Sequence, residues 1–493
     1  MPPETVASAQ TSRWLALAIL CAGQLMVILD GTVVSVALPS IQDSLGFSQS
    51  SLAWVVNAYL IPFGGLLLLS GRVGDLLGRN RIFTIGLVVF TAASLLCGLA
   101  QNQEMLLISR FVQGVGGAAA SSVTLAMIVT MFSERKEMAQ AIGVYSFVQA
   151  AGGAIGLIAG GVLTQAINWH WIFFINVPIG IAVVVLAVRK LSSERGLGLG
   201  EGTDIAGAVL VTAALMLTVY TIVETTNYRW GSAHTIGFGA GALVLLAAFV
   251  TRQAKGVNSL MPLRMFRLRN VSGAMVTQAL MISGMFSFQF LVVLYMQKVL
   301  GFNEVESGLG VVPVAVLIGL LSLVFAPRLI ARFGARTVLL PGLALITVGL
   351  GLLSRVPVDG SYFVDVFPAT VPLGIGFGLS MPSLAGLAMS GATPEDSGLA
   401  SGMFNTMQQI GSALGLAVLS TLAASHTKGL IDDGTGAASA LTDGYQLAFR
   451  VGACFVIGAI VVAAVVLRTP AESKPEAAGP KGAQLTEDEV VSV

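Results

Sequence analysis

Residues Gly71 to Arg81 read GRVGDLLGRNR, and a degenerate echo, RLIARFGAR, runs from Arg328 to Arg336. When the two are aligned, Asp75 stands over Ala331 and Gly78 over Gly334. Each is a short basic connection between apolar runs. A helix needs about 20 apolar residues to cross about 30 Å of hydrocarbon. Cutting the chain at its charged and turn-forming stretches gives fourteen such spans, at 14–38, 52–70, 81–100, 105–131, 138–165, 171–188, 205–224, 234–251, 271–296, 308–330, 337–353, 364–390, 397–424 and 446–468. The first basic connection joins spans 2 and 3 and its echo joins spans 10 and 11, an offset of eight. The chain therefore divides into a six-helix bundle over 13–190, two inserted helices over 204–251, a basic linker over 252–270 and a second six-helix bundle over 271–468. The fold class is an all-α integral membrane protein. Two repeats around a shared midplane cavity is the architecture of rocking secondary transporters.

Composition agrees with that division. Of 493 residues, 55% are hydrophobic and only 10% charged, against about 25% charged in soluble domains, so the apolar excess must face lipid. A formal charge of +1 removes any bulk electrostatic case for a nucleic-acid partner. The 58 glycines and 17 methionines fall within apolar runs and predict helices that pack closely through small residues. Cys21, Cys97 and Cys454 lie far apart in apolar runs and form no metal or disulfide pattern, so inert core thiols and no bound metal are expected.

The loops set the orientation, because cytoplasmic connections accumulate Lys and Arg. With the N-terminus inside, Arg229, Lys298, Arg355 and Lys428 fall outside, Arg110 and Arg450 fall at or within spans, and the other 20 of the 26 basic residues fall on the cytoplasmic side. Both termini are then cytoplasmic, and the protein is a multi-pass component of the inner (cytoplasmic) membrane. The first span has no small-residue cleavage site after it and reads as a retained helix. Disorder is expected for the cytoplasmic N-terminus, 1–12, and for the tail, 469–493, the latter rich in Pro, Glu, Lys and Ala. The linker carries Met261, Leu263, Met265 and Phe266 among its charges and is expected along the membrane interface. A polar external loop is expected over 425–444.

The chain resembles the major facilitator superfamily, and within it the fourteen-helix drug:proton antiporter branch of multidrug exporters. The resemblance rests on LDGTVVSVALP at 29–39, the GRVGDLLGRNR loop, RFVQGVGGAA at 110–119, a glycine-rich fifth helix, WHWIFFINVPIG at 169–180 and PLRMFRLRN at 262–270. It covers almost all of residues 10–470. It implies proton coupling through the acid and arginine that match Asp30 and Arg110, and a gate between the halves at the Gly71–Arg81 loop. The family's antiporters usually carry a Gly-Pro pair in the fifth helix, whereas here Gly156 is followed by Leu157. His170 stands where the family usually has Arg.

The residues also argue for themselves. Asp30 is the only acid well inside the first span, and a carboxylate at that depth titrates or finds a partner. At 1.5 Å per residue it lies about 12 Å below the outer end of its helix, and Arg110 about 7 Å deep in the fourth, so both belong to the same outer half. A neutral packing acid and an interfacial anchor are the plainer alternatives. Gly71, Gly74 and Gly78 sit where backbones must approach, and Asp75 can pair there with Arg72 or Arg79 in a bond that breaks as the halves rock. The alternative is a solvated charge cluster. Gly152, Gly156 and Gly160 recur every four residues, with Gly153 and Gly161 beside them, as a surface for close helix contact. His170 reads as a surface residue of an external loop.

Candidate substrate contacts are polar or aromatic residues in mid-span: Asn57, Tyr59, Gln113, Gln149, Gln278, Phe286, Gln289, Asn405, Gln408 and Gln409. Each alone is as readily a helix–helix hydrogen bond. QGVGGAA at 113–119 is no dinucleotide loop, because no strand precedes it. The function expected is proton-coupled efflux of amphipathic, monocationic or neutral compounds, with no enzyme activity, no cofactor and the proton gradient as energy source. The expected partners are small amphipathic substrates, protons and the lipid bilayer, around a monomeric protein. A dedicated exporter of one metabolite or antibiotic, an inward symporter, and a non-transporting sensor or scaffold are the rivals.

Overall fold

A computed structural model of the chain describes residues 3–132, 135–191, 204–228, 230–255, 263–389 and 397–468, and all regular structure among them is helical. The first bundle comprises α1 (Pro3–Leu45), α2 (Ala53–Leu77), α3 (Arg79–Gly98), α4 (Gln103–Met131), α5 (Arg135–Ala166), the single turn α6 (Trp171–Phe174) and α7 (Asn176–Lys190). The inserted pair is α8 (Ile205–Glu224) and α9 (Ala233–Lys255), followed by the short α10 (Leu263–Phe266). The second bundle comprises α11 (Arg269–Lys298), α12 (Glu304–Leu320), α13 (Ala326–Phe333), α14 (Ala335–Leu353), α15 (Phe367–Met389), α16 (Ser397–Asp432) and α17 (Ala437–Val466). A π-helical stretch, Leu321–Phe325, joins α12 to α13 without a break, and another, Tyr362–Val366, leads into α15.

Thirteen helical segments of the described residues are long and apolar enough to cross a membrane. The 32-residue α5 stands where the sequence places the remaining span. Outward faces are apolar where they meet no protein, as at Ile236, Leu243 and Val244 on α9.

The echo of the Gly71–Arg81 loop is visible in the backbone. Gly78 ends α2 and Gly334 ends α13, with φ of +102° and +83°. Each donates its N–H to a carbonyl four residues back, to Gly74 at 2.9 Å and to Ile330 at 2.8 Å, and each then starts the next helix. A residue with a Cβ resists this region, so glycine at both aligned positions is a conformational requirement.

The halves meet along two seams, α2 with α16 and α5 with α12. The offset of eight spans converts one seam into the other. Both are glycine-lined. A Cβ at Gly64 would run into Gln409 and one at Gly402 into Leu68, while one at Gly161 would lie 2.6 Å from the Glu304 carbonyl and one at Gly308 2.6 Å from that of Leu157. The inserted α8 leans on α2 and α16 together, covering that seam.

At the end of the molecule away from the Gly71–Arg81 loop the halves are bonded to each other. Ser40 Oγ donates to Glu304 at 2.8 Å, Lys298 pairs with Asp43 at 2.8 Å, and Gln297 donates to the Val36 carbonyl at 3.1 Å. The capping box of Asn303 and Glu306 starts α12 and places Glu304 for this contact. A cavity of about 1710 Å³ separates the halves and runs from Arg110 to Arg72, Asp75 and Arg79, so the molecule is open at its arginine-rich end and closed at the other.

Helix ends depart from the sequence reading. Residues 3–12, expected disordered, continue α1. Pro3 and Glu4 suit a first turn, and extending an existing helix is cheap. At its other end α1 passes through Pro39 to Leu45, held by buried Ile41 and by the bonds of Ser40 and Asp43 to the second bundle. The expected loop over 425–444 is helical except for a turn between Asp432 and Ala437, where Thr427 Oγ1 reaches the Ala440 carbonyl. In the linker, Met265 is 1% exposed and packs into the core instead of entering lipid. Met261 and the tail 469–493 lie outside the described residues. Cys454 is exposed, unlike Cys21 and Cys97.

Gly78→Ala and Gly334→Ala should each cost about 1 to 3 kcal/mol, the usual penalty for backbone regions that glycine alone visits easily. Gly351→Ala, whose Cβ meets nothing within 4 Å, should be neutral. Apparent Tm in detergent separates the three.

Candidate functional site

Asn102 caps α4 by accepting from the Met105 N–H at 2.8 Å, and Arg110 follows two turns later. Its guanidinium Nη1 donates to Asp30 Oδ2 at 2.5 Å, and both side chains are almost wholly buried. The carboxylate is fully engaged. Asp30 Oδ1 accepts from Gln113 Nε2 at 2.7 Å and from Asn176 Nδ2 at 3.1 Å. Gln113 also donates to Ser94 at 2.8 Å and accepts from Arg110 at 2.6 Å, while Arg110 Nε donates to the Val55 carbonyl at 3.0 Å. The guanidinium lies 4.5 Å from the Tyr59 ring centroid and 5.7 Å from that of Phe173. Residues of α1, α2, α3, α4, α6 and α7 thus converge on one charge pair.

Asp30 does not line the cavity. Arg110 and Tyr59 do, and they stand between the carboxylate and the open space. A ligand in this conformation therefore meets the arginine and the phenol, and reaches Asp30 only through them. Because α1 extends to Leu45, Asp30 lies about 22 Å from the helix end and not the 12 Å expected.

The candidate substrate contacts divide. Tyr59, Phe286, Gln289, Asn405, Gln408 and Gln409 line the cavity. Asn57, Gln113 and Gln278, each 0% exposed, lie behind its wall. Gln113 belongs to the Asp30 cluster, Gln278 donates to Gln408 at 3.5 Å, and both polar side-chain atoms of Asn57 have no partner among the described residues. The side chain of Gln149 lies outside the described residues. Helical periodicity places a residue on a face but does not say which neighbour covers that face.

Asp75 pairs with Arg79 through Nε and Nη2, both at 2.9 Å, and Arg72 also lines the cavity mouth. Gly74 meets Val123 of α4, and Gly71 faces Ser122. In α5, Gly152, Gly156 and Gly160 pack on Leu25, Thr32 and Val33 of α1 within the first bundle, whereas Gly161 faces α12. The stripe is two contacts, one inside a bundle and one across the seam. His170 Nδ1 donates to the Gly98 carbonyl at 2.9 Å, and the ring stacks on Trp169.

Two features escaped the sequence reading. Asn176 was signalled only as a polar residue inside the FINVPIG run. The other is Asp204, which caps α8 by accepting from the Gly207 N–H at 2.8 Å, pairs with Arg252 at 2.5 Å and accepts from Gln253 at 2.7 Å. Burial pushes its carboxyl up, but Arg252, the Gly207 N–H and Gln253 outweigh that and hold it below its ordinary value. Among the described residues no cluster of His, Cys, Asp and Glu suits a metal ion.

A sequence model of the Major Facilitator Superfamily matches residues 20–416. The chain is 34% identical to a puromycin resistance protein of Streptomyces alboniger, over 95% of this chain and 93% of that protein. It is 37% identical to a cephamycin export protein of Amycolatopsis lactamdurans, over 93% of each. Its fold resembles the crystal structure of an auto-inhibited peptide transporter of the POT family, with a TM-score of 0.67 at 16% identity, covering 94% of this chain and 99% of that one.

Arg110→Ala should lose about 3 to 5 kcal/mol, because it strands a buried carboxylate. Asp30→Leu in the same chain should recover part of that loss, a coupling that a double-mutant cycle in thermal unfolding reads directly. For Asp204 the folded value is depressed, so its stabilising contribution is present above the ordinary aspartate range and lost as pH falls through the folded value. The stability gap between the parent and Asp204→Asn should accordingly be full at neutral pH and close in acid.

Proposed function

This chain belongs to the Major Facilitator Superfamily, and we propose that it is a proton-coupled exporter of amphipathic drugs or toxic compounds, monocationic or neutral, working by alternating access. It is a multi-pass membrane protein of a transporter family, and its relatives are antibiotic resistance and export proteins. The carrying observation is the Asp30–Arg110 pair directly behind the wall of a large cavity open at one end. A buried acid held by an arginine is a site where a proton and the arginine compete for the same carboxylate, so that proton uptake changes what the arginine can do to a compound beside it.

The arginine-rich end is read as cytoplasmic, since basic loops stay inside. The protein then sits in the cell membrane with both termini in the cytoplasm and works as a monomer in lipid. In the cycle, cargo enters from the cytoplasm and settles against Arg110 and Tyr59. The Ser40–Glu304 and Asp43–Lys298 contacts part as the halves rock, and the outer face opens. Asp30 then takes a proton from outside, Arg110 loses its counter-charge and swings toward the open space, displacing cargo outward. On return to the inward-facing state Asp30 re-forms the pair and gives its proton to the cytoplasm. One charge moving through 100 mV supplies about 2.3 kcal/mol. The Asp75–Arg79 pair is the latch at the cytoplasmic mouth, remade between partners when that mouth closes. The names of the relatives favour a second reading, a dedicated exporter of one antibiotic, which uses the same site and cycle.

Reconstituted vesicles with an imposed pH gradient test the coupling. Asp30→Asn, which keeps the size and most hydrogen bonds of the side chain, should reduce gradient-driven efflux to background while facilitated exchange persists. Undiminished efflux would remove Asp30 from the mechanism, and efflux insensitive to collapse of the gradient would sink antiport.

A further inference from the structure

Two polar side chains in the cavity wall have atoms with nothing to bond. Gln24 of α1 and Ser121 of α4 both line the open space. Gln24 is 7% exposed, and neither its Oε1 nor the Ser121 Oγ, both buried, has a partner among the described residues. The two residues stand level with each other. α1 and α4 run antiparallel, with the Trp14 and Phe132 rings 5.3 Å apart at one end and Asp30 bonded to Gln113 at 2.7 Å farther along. Gln24 follows Trp14 and Ser121 precedes Phe132 by nearly the same stretch of helix, so both fall between those two contacts. At 1.5 Å per residue Gln24 lies about 9 Å inward of Asp30. Val27, Ile28 and Phe63 supply apolar wall between them.

Other hydroxyls of α4 bond to their own helix. Ser122 donates to the Ala119 carbonyl at 3.1 Å, Thr124 to that of Ala120 at 2.8 Å and Thr130 to that of Ala126 at 3.0 Å, the usual way for a helical hydroxyl to satisfy itself. Ser121 does not. The Gln113 amide is likewise committed, to Asp30 and Ser94, whereas the Gln24 Oε1 has no bond to give up. The last torsion of a glutamine is broad, so the Gln24 amide turns its oxygen toward the open space without losing a hydrogen bond there. The Ser121 hydroxyl is equally free to rotate. Buried polar atoms without partners are unfavourable, and a bound molecule that supplies the partners relieves both at once. A purely apolar molecule cannot.

We propose that Gln24 and Ser121 form a hydrogen-bonding subsite that recognises a neutral cargo group carrying an N–H or O–H donor beside a carbonyl acceptor, as in an amide or a hydroxy-ketone. The apolar body of the cargo then lies along Val27, Ile28 and Phe63, between the subsite and the Asp30–Arg110 pair. This rests on the reading that the cavity carries the exported compound. It names the chemistry that is recognised, whatever charge the rest of the molecule carries.

Benzanilide and trans-stilbene have nearly the same shape, and only the first has an amide. Both are measured by equilibrium dialysis against the full-length protein in detergent, and the readout is the ratio of their affinities, compared between parent and variants so that micelle partitioning cancels. Gln24→Leu and Ser121→Ala should each lower benzanilide affinity about fivefold, the size of one net hydrogen bond, and leave trans-stilbene unchanged. The apparent Tm of Gln24→Leu should equal or exceed that of the parent, because the substitution removes an unsatisfied atom, whereas a merely structural glutamine would lower it. A ratio that either substitution leaves unmoved overturns the proposal, as does equal weakening of both probes, or no binding of benzanilide to the parent. No pH gradient is involved, so failure here leaves proton coupling standing, and failure of Asp30→Asn to stop efflux leaves the subsite standing.

Discussion

A carboxylate and a guanidinium are each too costly to leave alone in an apolar interior, and the first bundle is organised around keeping Asp30 and Arg110 together. The pair is buried to about the same extent as the surrounding leucines, and it makes further hydrogen bonds with Val55, Gln113 and Asn176, with Gln113 in turn held by Ser94. That demand constrains how α1, α2, α3, α4 and α7 can sit, because the partners come from all five. It also puts the pair one side chain away from the cavity, with Tyr59 and the edge of Arg110 as the boundary. A group that must stay paired thus stands beside the open space between the halves.

The second bundle repeats the backbone without repeating the charges. Gly78 and Gly334 have the same left-handed conformation and the same closing hydrogen bond, yet Asp75 is answered by Ala331. Toward the cavity the second half offers Gln289, Asn405, Gln408 and Gln409 where the first keeps its charge pair. The symmetry therefore serves movement, since two like bundles in contact along glycine-lined seams can tilt as bodies. The asymmetry divides the labour between a charged half and an amide half. Covering of the α2–α16 seam by α8 breaks the symmetry again, this time on the outside of the molecule.

Much of this was legible in the chain. Apolar runs of membrane length, the one-sided arginines and the two aligned basic connections carry the fold, because hydrocarbon thickness and backbone satisfaction leave a spanning chain few options. Asp30 and Arg110 stand out for the same reason, as charges where charge is expensive. The helix ends were less legible. Residues 3–12 and 425–444 look polar, and polarity does not forbid a helix that protrudes or docks. The amides were the least legible: Gln113 and Gln278 carry the same chemistry as Gln289 and Gln409, but two lie behind the wall and two on it.

By itself the amino-acid sequence determined that the chain crosses a membrane many times, which end of each helix carries the arginines, where two half-molecules repeat, and which buried acid needs a partner. All of these follow from local composition set against the cost of moving charge and backbone into lipid. Only the tertiary structure decided that Asp30 is shared among Arg110, Gln113 and Asn176, residues 80, 83 and 146 positions away, that Asp204 is locked by Arg252, and that the open space lies at the arginine-rich end. Those outcomes depend on which helix faces meet, and that is settled by packing between distant segments whose side chains carry no mark of their neighbours.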